Sequence, residues 1–280
     1  MSIKTAAIFL AALLAAFLAA AADSRYCLKT SEYTLTLDRL PRELDGMRIV
    51  HLSDLHGSRF GRRNERLVRA VLDAAPDLIA MTGDMASDPG EIPAFEELVS
   101  GIAGAAPIYY VNGNHEWAGH CVNEVEHMLK FYGVRCLRNE YEPVCLPGKS
   151  AYFVIGGADD PNSYADMKTP DILAGELSRD FPEDFALWLC HRNDYIMVKE
   201  YNLLPVDLIL CGHAHGGVIR LPFVGGLLNL YHRLGAEYEK GIYRCGRFTM
   251  EVSTGLGNSI IVPRLFNRPE LVVLTLKSRA

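Results

Sequence analysis

The sequence predicts an α/β fold built on two sheets, from three observations. Short apolar runs alternate with amphipathic stretches through the first half, in the order strand, helix, strand, helix, strand. Unusual polar residues, Asp, Asn and His beside Gly, stand where those runs end. In the later part, apolar runs follow one another with short connections and no separating linker, which predicts a second, more antiparallel sheet. Alternation of strand and helix gives parallel pairing, and open α/β sheets place their sites at strand C-termini.

Composition narrows the function. The chain has 280 residues, 49% hydrophobic and 22% charged, as in one large globular domain or two small ones. A formal net charge of −6 gives no electrostatic support for nucleic-acid binding, so no nucleic-acid partner is expected. Seven cysteines without a CxxC exclude a zinc knuckle, a thioredoxin-type motif and a disulfide-framed scaffold. Cys190 and Cys211 end apolar runs and are expected as core thiols.

The elements follow in order. Ala6 to Ala22 is uninterrupted apolar, with Lys4 before it and Arg25 and Lys29 after. At about 1.5 Å per residue the run reaches roughly 25 Å, close to a bilayer core. It reads as a membrane anchor or as a signal peptide cut after Ala20-Ala21-Ala22, in which case the protein is secreted or periplasmic. The flanking charges lean slightly towards a cytoplasmic C-terminal side. The segment is taken as residues 1–22 and the folded domain as residues 23–280. Tyr33 to Leu37 alternates, as an edge strand does. Strands are expected at Arg48 to Leu52, Asp77 to Thr82 and Ile108 to Val111, with helices at Asn64 to Ala75 and Glu91 to Ala103 between them. Asn123 to Tyr132 is helical, with Asn123 as N-cap and Gly133 as stop. Strands follow at Tyr152 to Ile155, Phe185 to Cys190, Val206 to Cys211, Val218 to Leu221, Phe248 to Val252 and Leu271 to Leu276. Asp159 to Pro170 is turn-rich, and Leu221 to Leu228 reads as an apolar loop with Pro and two glycines.

The strand-end residues collect into one set: Asp54, His56, Asp84, Asn114, His115, His191, His213 and His215. Carboxylate, imidazole and amide donors without thiolate suit Mn²⁺, with Fe or Zn²⁺ as alternatives. Two ions about 3.5–4 Å apart need a bridging carboxylate, and Asp84 stands in the middle of the series. Arg59, in a glycine-flanked loop, is a candidate phosphate clamp or a solvated surface residue. His51, His120, His127 and His232 read as structural or exposed.

The blocks Asp54-x-His56, Gly83-Asp84, Gly113-Asn114-His115-Glu116, His191 and Gly212-His213-x-His215 resemble the signature of the calcineurin-like metallophosphoesterases. With the N-terminal hydrophobic segment, the likeness is to the membrane-associated bacterial phosphodiesterases of the YaeI-like branch, which is itself similar to one type of UDP-diacylglucosamine pyrophosphohydrolase. The resemblance implies two mixed β-sheets packed as a sandwich and flanked by helices. It implies a first metal on Asp54, His56 and His215, a second on Asn114, His191 and His213, and Asp84 bridging both. His115 would face the leaving group, and Glu116 receives no ligand role. Gly83-Asp84 continues into Met85-Ala86-Ser87-Asp88 and not into Asp-Arg-Gly, which disfavours a phosphoprotein substrate. The expected activity is hydrolysis of a phosphodiester or pyrophosphate bond, in a substrate that is lipid-linked or otherwise amphipathic. A phosphomonoesterase using the same metals and an inactive membrane-tethered metal protein are the alternatives. Phe223, Leu227 and Leu228 are candidates for an apolar lip beside the site, if their loop does not fold back into the core.

Overall fold

The most apolar runs of the chain become strands with both faces covered, as parallel strands between layers must. The computed structural model describes residues 2–163, 169–194, 204–221, 223–227, 238–258 and 262–279. Helix α1 (Ile3–Tyr26) precedes strands β1 (Lys29–Leu37) and β2 (Arg48–Leu52). Then come α2 (Glu65–Asp73), β3 (Leu78–Thr82), α3 (Ile92–Ile102), β4 (Ile108–Val111), α4 (Asn114–Ala118), α5 (Val122–Phe131) and β5 (Arg135–Cys136). The second half contributes β6 (Glu140–Cys145), β7 (Tyr152–Gly157), α6 (Pro170–Asp180), β8 (Ala186–Leu189) and β9 (Leu208–Cys211). It closes with β10 (Arg220–Leu221), β11 (Gly225–Gly226), β12 (Gly241–Cys245), β13 (Phe248–Val252) and β14 (Glu270–Ser278).

Two six-stranded sheets result, ordered β1-β14-β2-β3-β4-β5 and β12-β13-β9-β8-β7-β6. The period of two along each strand divides the core into three layers. Ile49, Leu78, Ala80, Val111, Val272 and Leu274 face Ile155, Leu187, Leu189, Leu208 and Leu210 between the sheets. Val50, Ile79, Met81 and Tyr110 turn outwards onto Leu67, Phe95, Leu98 and Val125 of the helices on the first sheet. Trp188 and Ile209 turn onto Leu173 and Leu177 of α6 on the second. This is the sandwich of two mixed sheets flanked by helices that the resemblance implies.

Several expectations are corrected. The centre of the second sheet, β13-β9-β8-β7, is parallel, and antiparallel pairing is confined to its edges, β12 with β13 and β6 with β7. The helix α6 supplies the crossover between β7 and β8; it opens on Pro170, which reads locally as the end of a turn-rich loop. Strand β14 belongs to the first sheet, parallel to β1 and antiparallel to β2. The N-cap of α5 is Cys121 and not Asn123, while Gly133 follows the helix at φ +74°. The run Leu221 to Leu228 is part of a hairpin, β10 against β11, with Phe223 fully exposed at its tip; Pro222 and Leu228 lie outside the described residues.

Helix α1 is long and apolar enough to cross a membrane, and none of its apolar span is buried. It continues past residue 22 to Tyr26, so the segment boundary falls inside the helix. Its foot is fixed to the domain. The Arg268 guanidinium makes two bonds to the Asp23 carboxylate (2.6 and 2.8 Å), and the Asn267 amide donates to Ser24 Oγ at 3.4 Å.

Candidate metal centre

In both sheets the parallel strands end at one edge of the sandwich, and the polar blocks leave from there. Asp54 and His56 follow β2, Asp84 follows β3, Asn114 and His115 open α4 after β4, His191 follows β8, and His213 and His215 follow β9. The turns are sharp. Asp54, His56, Asp84, His213 and His215 all have positive φ, between 43° and 67°. A non-glycine residue in that region costs about 1–2 kcal/mol, so the surrounding structure must enforce it. Neighbouring glycines make room: a Cβ on Gly113 would fall 2.1 Å from Asp84 Oδ1, and one on Gly212 2.3 Å from Asp54 Oδ2.

Glu116 does much of the enforcing. Its buried carboxylate accepts the backbone N–H groups of Asp84 (2.9 Å), Met85 (2.6 Å), Ala86 (3.1 Å) and Gly113 (2.9 Å). It therefore points away from the ligand set and binds the β3 and β4 loops into one unit. Arg264 does the same on the other side. It is buried, and its guanidinium donates to the carbonyls of Thr254 (2.8 Å), Gly255 (3.2 Å) and Gly257 (2.6 Å), in the loop that packs on Asp54. Beneath the site, His51 is bonded to Glu251 and, at 2.7 Å, to Thr82 Oγ1, fully buried and structural as expected.

The candidate residues meet in three overlapping groups, Asp54 with His56 and His215, Asp84 with His191 and His213, and, sharing His56 and Asp84, a third with His115; within each, ligand atoms lie within 4.8 Å of one another. Asp84 Oδ2 stands between the groups, 3.1 Å from His191 Nε2 and 3.8 Å from His56 Nε2. Asn114 Oδ1 is 3.1 Å from His191 Nε2, which places it at the second group. His115 Nε2 is 4.0 Å from Asp84 Oδ2 and its side chain is 32% exposed, so it lies at the mouth while the ligands line the floor. Arg59 lines the cavity that opens beside His56, and its guanidinium pairs with Glu97 on α3 at 2.9 Å. His120 and His127 are exposed, and His232 lies outside the described residues.

The donor chemistry fits a cation. His191 Nδ1 faces the Thr82 carbonyl at 2.8 Å, which can only accept, so Nδ1 carries the proton and Nε2 is left for the centre. There it meets a carboxylate oxygen, an amide oxygen and, at 3.0 Å, His213 Nδ1. His56 Nδ1 engages Ser87 Oγ at 2.8 Å, leaving its Nε2 3.3 Å from His215 Nε2. Burial keeps these imidazoles neutral. It pushes His56 down to about 3 although Asp84 pulls the other way, and it holds His213 and His215 well below the ordinary value. His191 is the exception: burial acts against its charge, but Asp84 and Asp54 outweigh it and raise it to about 10. Burial likewise raises Asp54 to about 6, whereas at Asp84 burial also pushes upwards but is outweighed by the charge and hydrogen bond of His191 together with His56 and His115, which hold the carboxyl below its usual range. The centre calls for positive charge among convergent oxygen and nitrogen lone pairs, a donor set that suits divalent Mn, Fe or Zn.

A cavity of about 510 Å³ opens beside His56, bounded by the 57–60 loop, by Leu256, Gly257, Asn258, Pro263 and Arg264, and by Arg25 and Tyr26 at the foot of α1.

Sandwich, strand-end loops and ligand set together define a metallophosphoesterase, a metal-dependent hydrolase of phosphoesters. The chain belongs to the calcineurin-like phosphoesterase family, whose sequence profile matches residues 47–217. It is 31% identical over 263 residues to the uncharacterized metallophosphoesterase YkuE of Bacillus subtilis (strain 168), covering 90% of this chain and 87% of that one. It is 29% identical over 238 residues to phosphodiesterase YaeI of Escherichia coli (strain K12), 82% of each chain. A transmembrane protein with metallophosphoesterase domain from Danio rerio is 26% identical over 258 residues, which are 89% of this chain and 57% of that one.

Proposed function

We propose that the protein hydrolyses a phosphodiester or pyrophosphate bond with two divalent ions, Mn²⁺ being the best suited. Asp54, His56 and His215 hold the first, Asn114, His191 and His213 the second, and Asp84 bridges them. The observation that carries this reading is the position of Asp84 Oδ2 between the two groups, 3.1 Å from one and 3.8 Å from the other. Ions so held supply Lewis acidity and make a water acidic enough to ionise near neutral pH. The protein contributes orientation. The imidazoles of His56, His213 and His215, kept neutral by burial, and one shared carboxylate fix the ligand geometry, and the Glu116 and Arg264 clamps keep the loops from relaxing. His115 stands at the mouth, where it gives a proton to the departing oxygen. Arg59 can bind a substrate phosphate only by exchanging it for Glu97.

Helix α1 anchors the protein to a membrane in this reading, and the substrate is amphipathic. Support comes from the hairpin of β10 and β11, which packs against the His215 loop so closely that a Cβ on Gly217 would fall 2.5 Å from Gly226 Cα. Its tip residue Phe223 is fully exposed and does not fold back into the core. The test is the full chain with Mn²⁺, assayed on an aryl phosphodiester and an aryl phosphomonoester. Diester turnover is expected, with loss on chelation and in Asp84→Asn, in which metal content falls together with activity. Preference for the monoester supports the phosphatase alternative. Loaded protein that turns over neither substrate sinks the enzymatic reading.

A further inference from the structure

The cavity at the foot of α1 is not used by the metal ligands, apart from the His56 edge they share. At about 510 Å³ it has the size of a small-molecule site. Phe60 and Leu256 give it a buried apolar patch, and its rim, with Arg25, Tyr26 and Asn258 alongside Ser58, Arg59 and Arg264, is largely polar. Two of those rim residues follow the apolar span of α1. They are held in place: the Arg25 guanidinium lies over the Tyr26 ring, 5.5 Å from its centroid. The Asp23–Arg268 pair fixes the turn of helix before them. One residue along, the Asn267 side-chain amide donates to the His215 carbonyl at 2.8 Å, so the helix foot and a metal-ligand loop share one support.

We propose that this cavity is the subsite for the non-leaving substituent of the substrate, that this substituent is an alkyl or acyl chain, and that Tyr26 determines specificity for it. The inference rests on the phosphodiesterase reading above. The cavity brings together the foot of an exposed apolar helix, an apolar patch of Tyr26, Phe60 and Leu256, and His56 of the first metal group. A phosphoester whose chain leaves along α1 would rest on Tyr26 and Phe60 with its phosphorus beside His56. Arg25 at the rim suits a second negative charge on such a substrate. Burial of each methylene in the pocket raises affinity by at most about fourfold.

The experiment uses the full chain with Mn²⁺ in fixed detergent micelles and two substrates with one leaving group, p-nitrophenyl methyl phosphate and p-nitrophenyl dodecyl phosphate. The quantity read is the dodecyl-to-methyl ratio of kcat/KM. Tyr26→Ala is expected to lower that ratio at least tenfold relative to wild type, chiefly through KM, and Tyr26→Phe to restore it. Phe131→Ala, an exposed apolar residue on α5, is the control for micelle partitioning and leaves the ratio unchanged. A ratio within twofold of wild type in Tyr26→Ala overturns the proposal. A second readout serves if wild type hydrolyses neither diester, which would refute the phosphodiesterase reading itself. Cys27, next to Tyr26, and Cys145 are both exposed thiols. n-Dodecyl phosphate should slow alkylation of Cys27 at least fivefold while Cys145 reacts at its free rate. Equal rates with and without the probe would show that the cavity does not take the chain.

Discussion

His115 and the proposed ligands beside it differ in exposure, which fits the different tasks proposed for them. A residue that hands a proton to a departing group must reach solvent or substrate, whereas a ligand is better held in the floor. His115→Ala should therefore retain both metals by elemental analysis while losing about 10²–10⁴-fold in turnover of an alkyl diester. An aryl diester, whose leaving group needs little protonation, should lose far less. Equal losses for the two would remove His115 from the proton-transfer role. The left-handed backbone at Asp54, His56, Asp84, His213 and His215 is the other feature of this scale. Strain of this kind persists only where the surroundings over-determine it, and here the surroundings are the Glu116 and Arg264 clamps.

At the scale of elements, Glu116 joins the end of β3 to the start of α4 through four backbone donors. Glu116→Ala would leave those buried N–H groups without an acceptor, at a cost of about 1–3 kcal/mol for each one that finds no replacement. A lower urea midpoint and weaker metal binding are expected, with Glu116→Gln recovering part of both; an unchanged midpoint would mean that the clamp is dispensable. The strands that carry the candidate ligands are legible in the sequence: β2 and β4 have the bounds their apolar runs suggest, and β3, β8 and β9 start or stop within two residues of them, because a strand buried on both faces admits few polar residues. The helices α2, α3 and α5 are legible from the period of their one buried face, whereas an edge strand with almost nothing buried is not. In β6 only Val144 is buried and Pro143 interrupts the run, so nothing local marks it as a strand. The candidate ligand positions are readable because each leaves such a run, most of them beside Gly or His. Arg264 is not, since its five carbonyl partners converge only in three dimensions. The Arg59 expectation rested on loop position alone, and the nearby Glu97 could not be seen from sequence spacing.

At the scale of the whole molecule, α1 is tied to the domain by its last turn and, among the described residues, by nothing along its apolar span. Removing residues 1–22 keeps Asp23 and Ser24, so the shortened protein should unfold at nearly the same urea concentration while leaving the membrane fraction on centrifugation. Retention in that fraction would show a second attachment. The placement of β14 has a different consequence, for synthesis. It lies between β1 and β2, so the first sheet has an open slot until residues 270–278 have left the ribosome. Until then β1 has no neighbour in the sheet, and the edge of β2 presents unpaired backbone groups. A nascent chain held at the bilayer by its first helix would carry that open edge through most of translation. Completion of the first sheet therefore waits for β14, and chaperone demand should concentrate before that strand emerges.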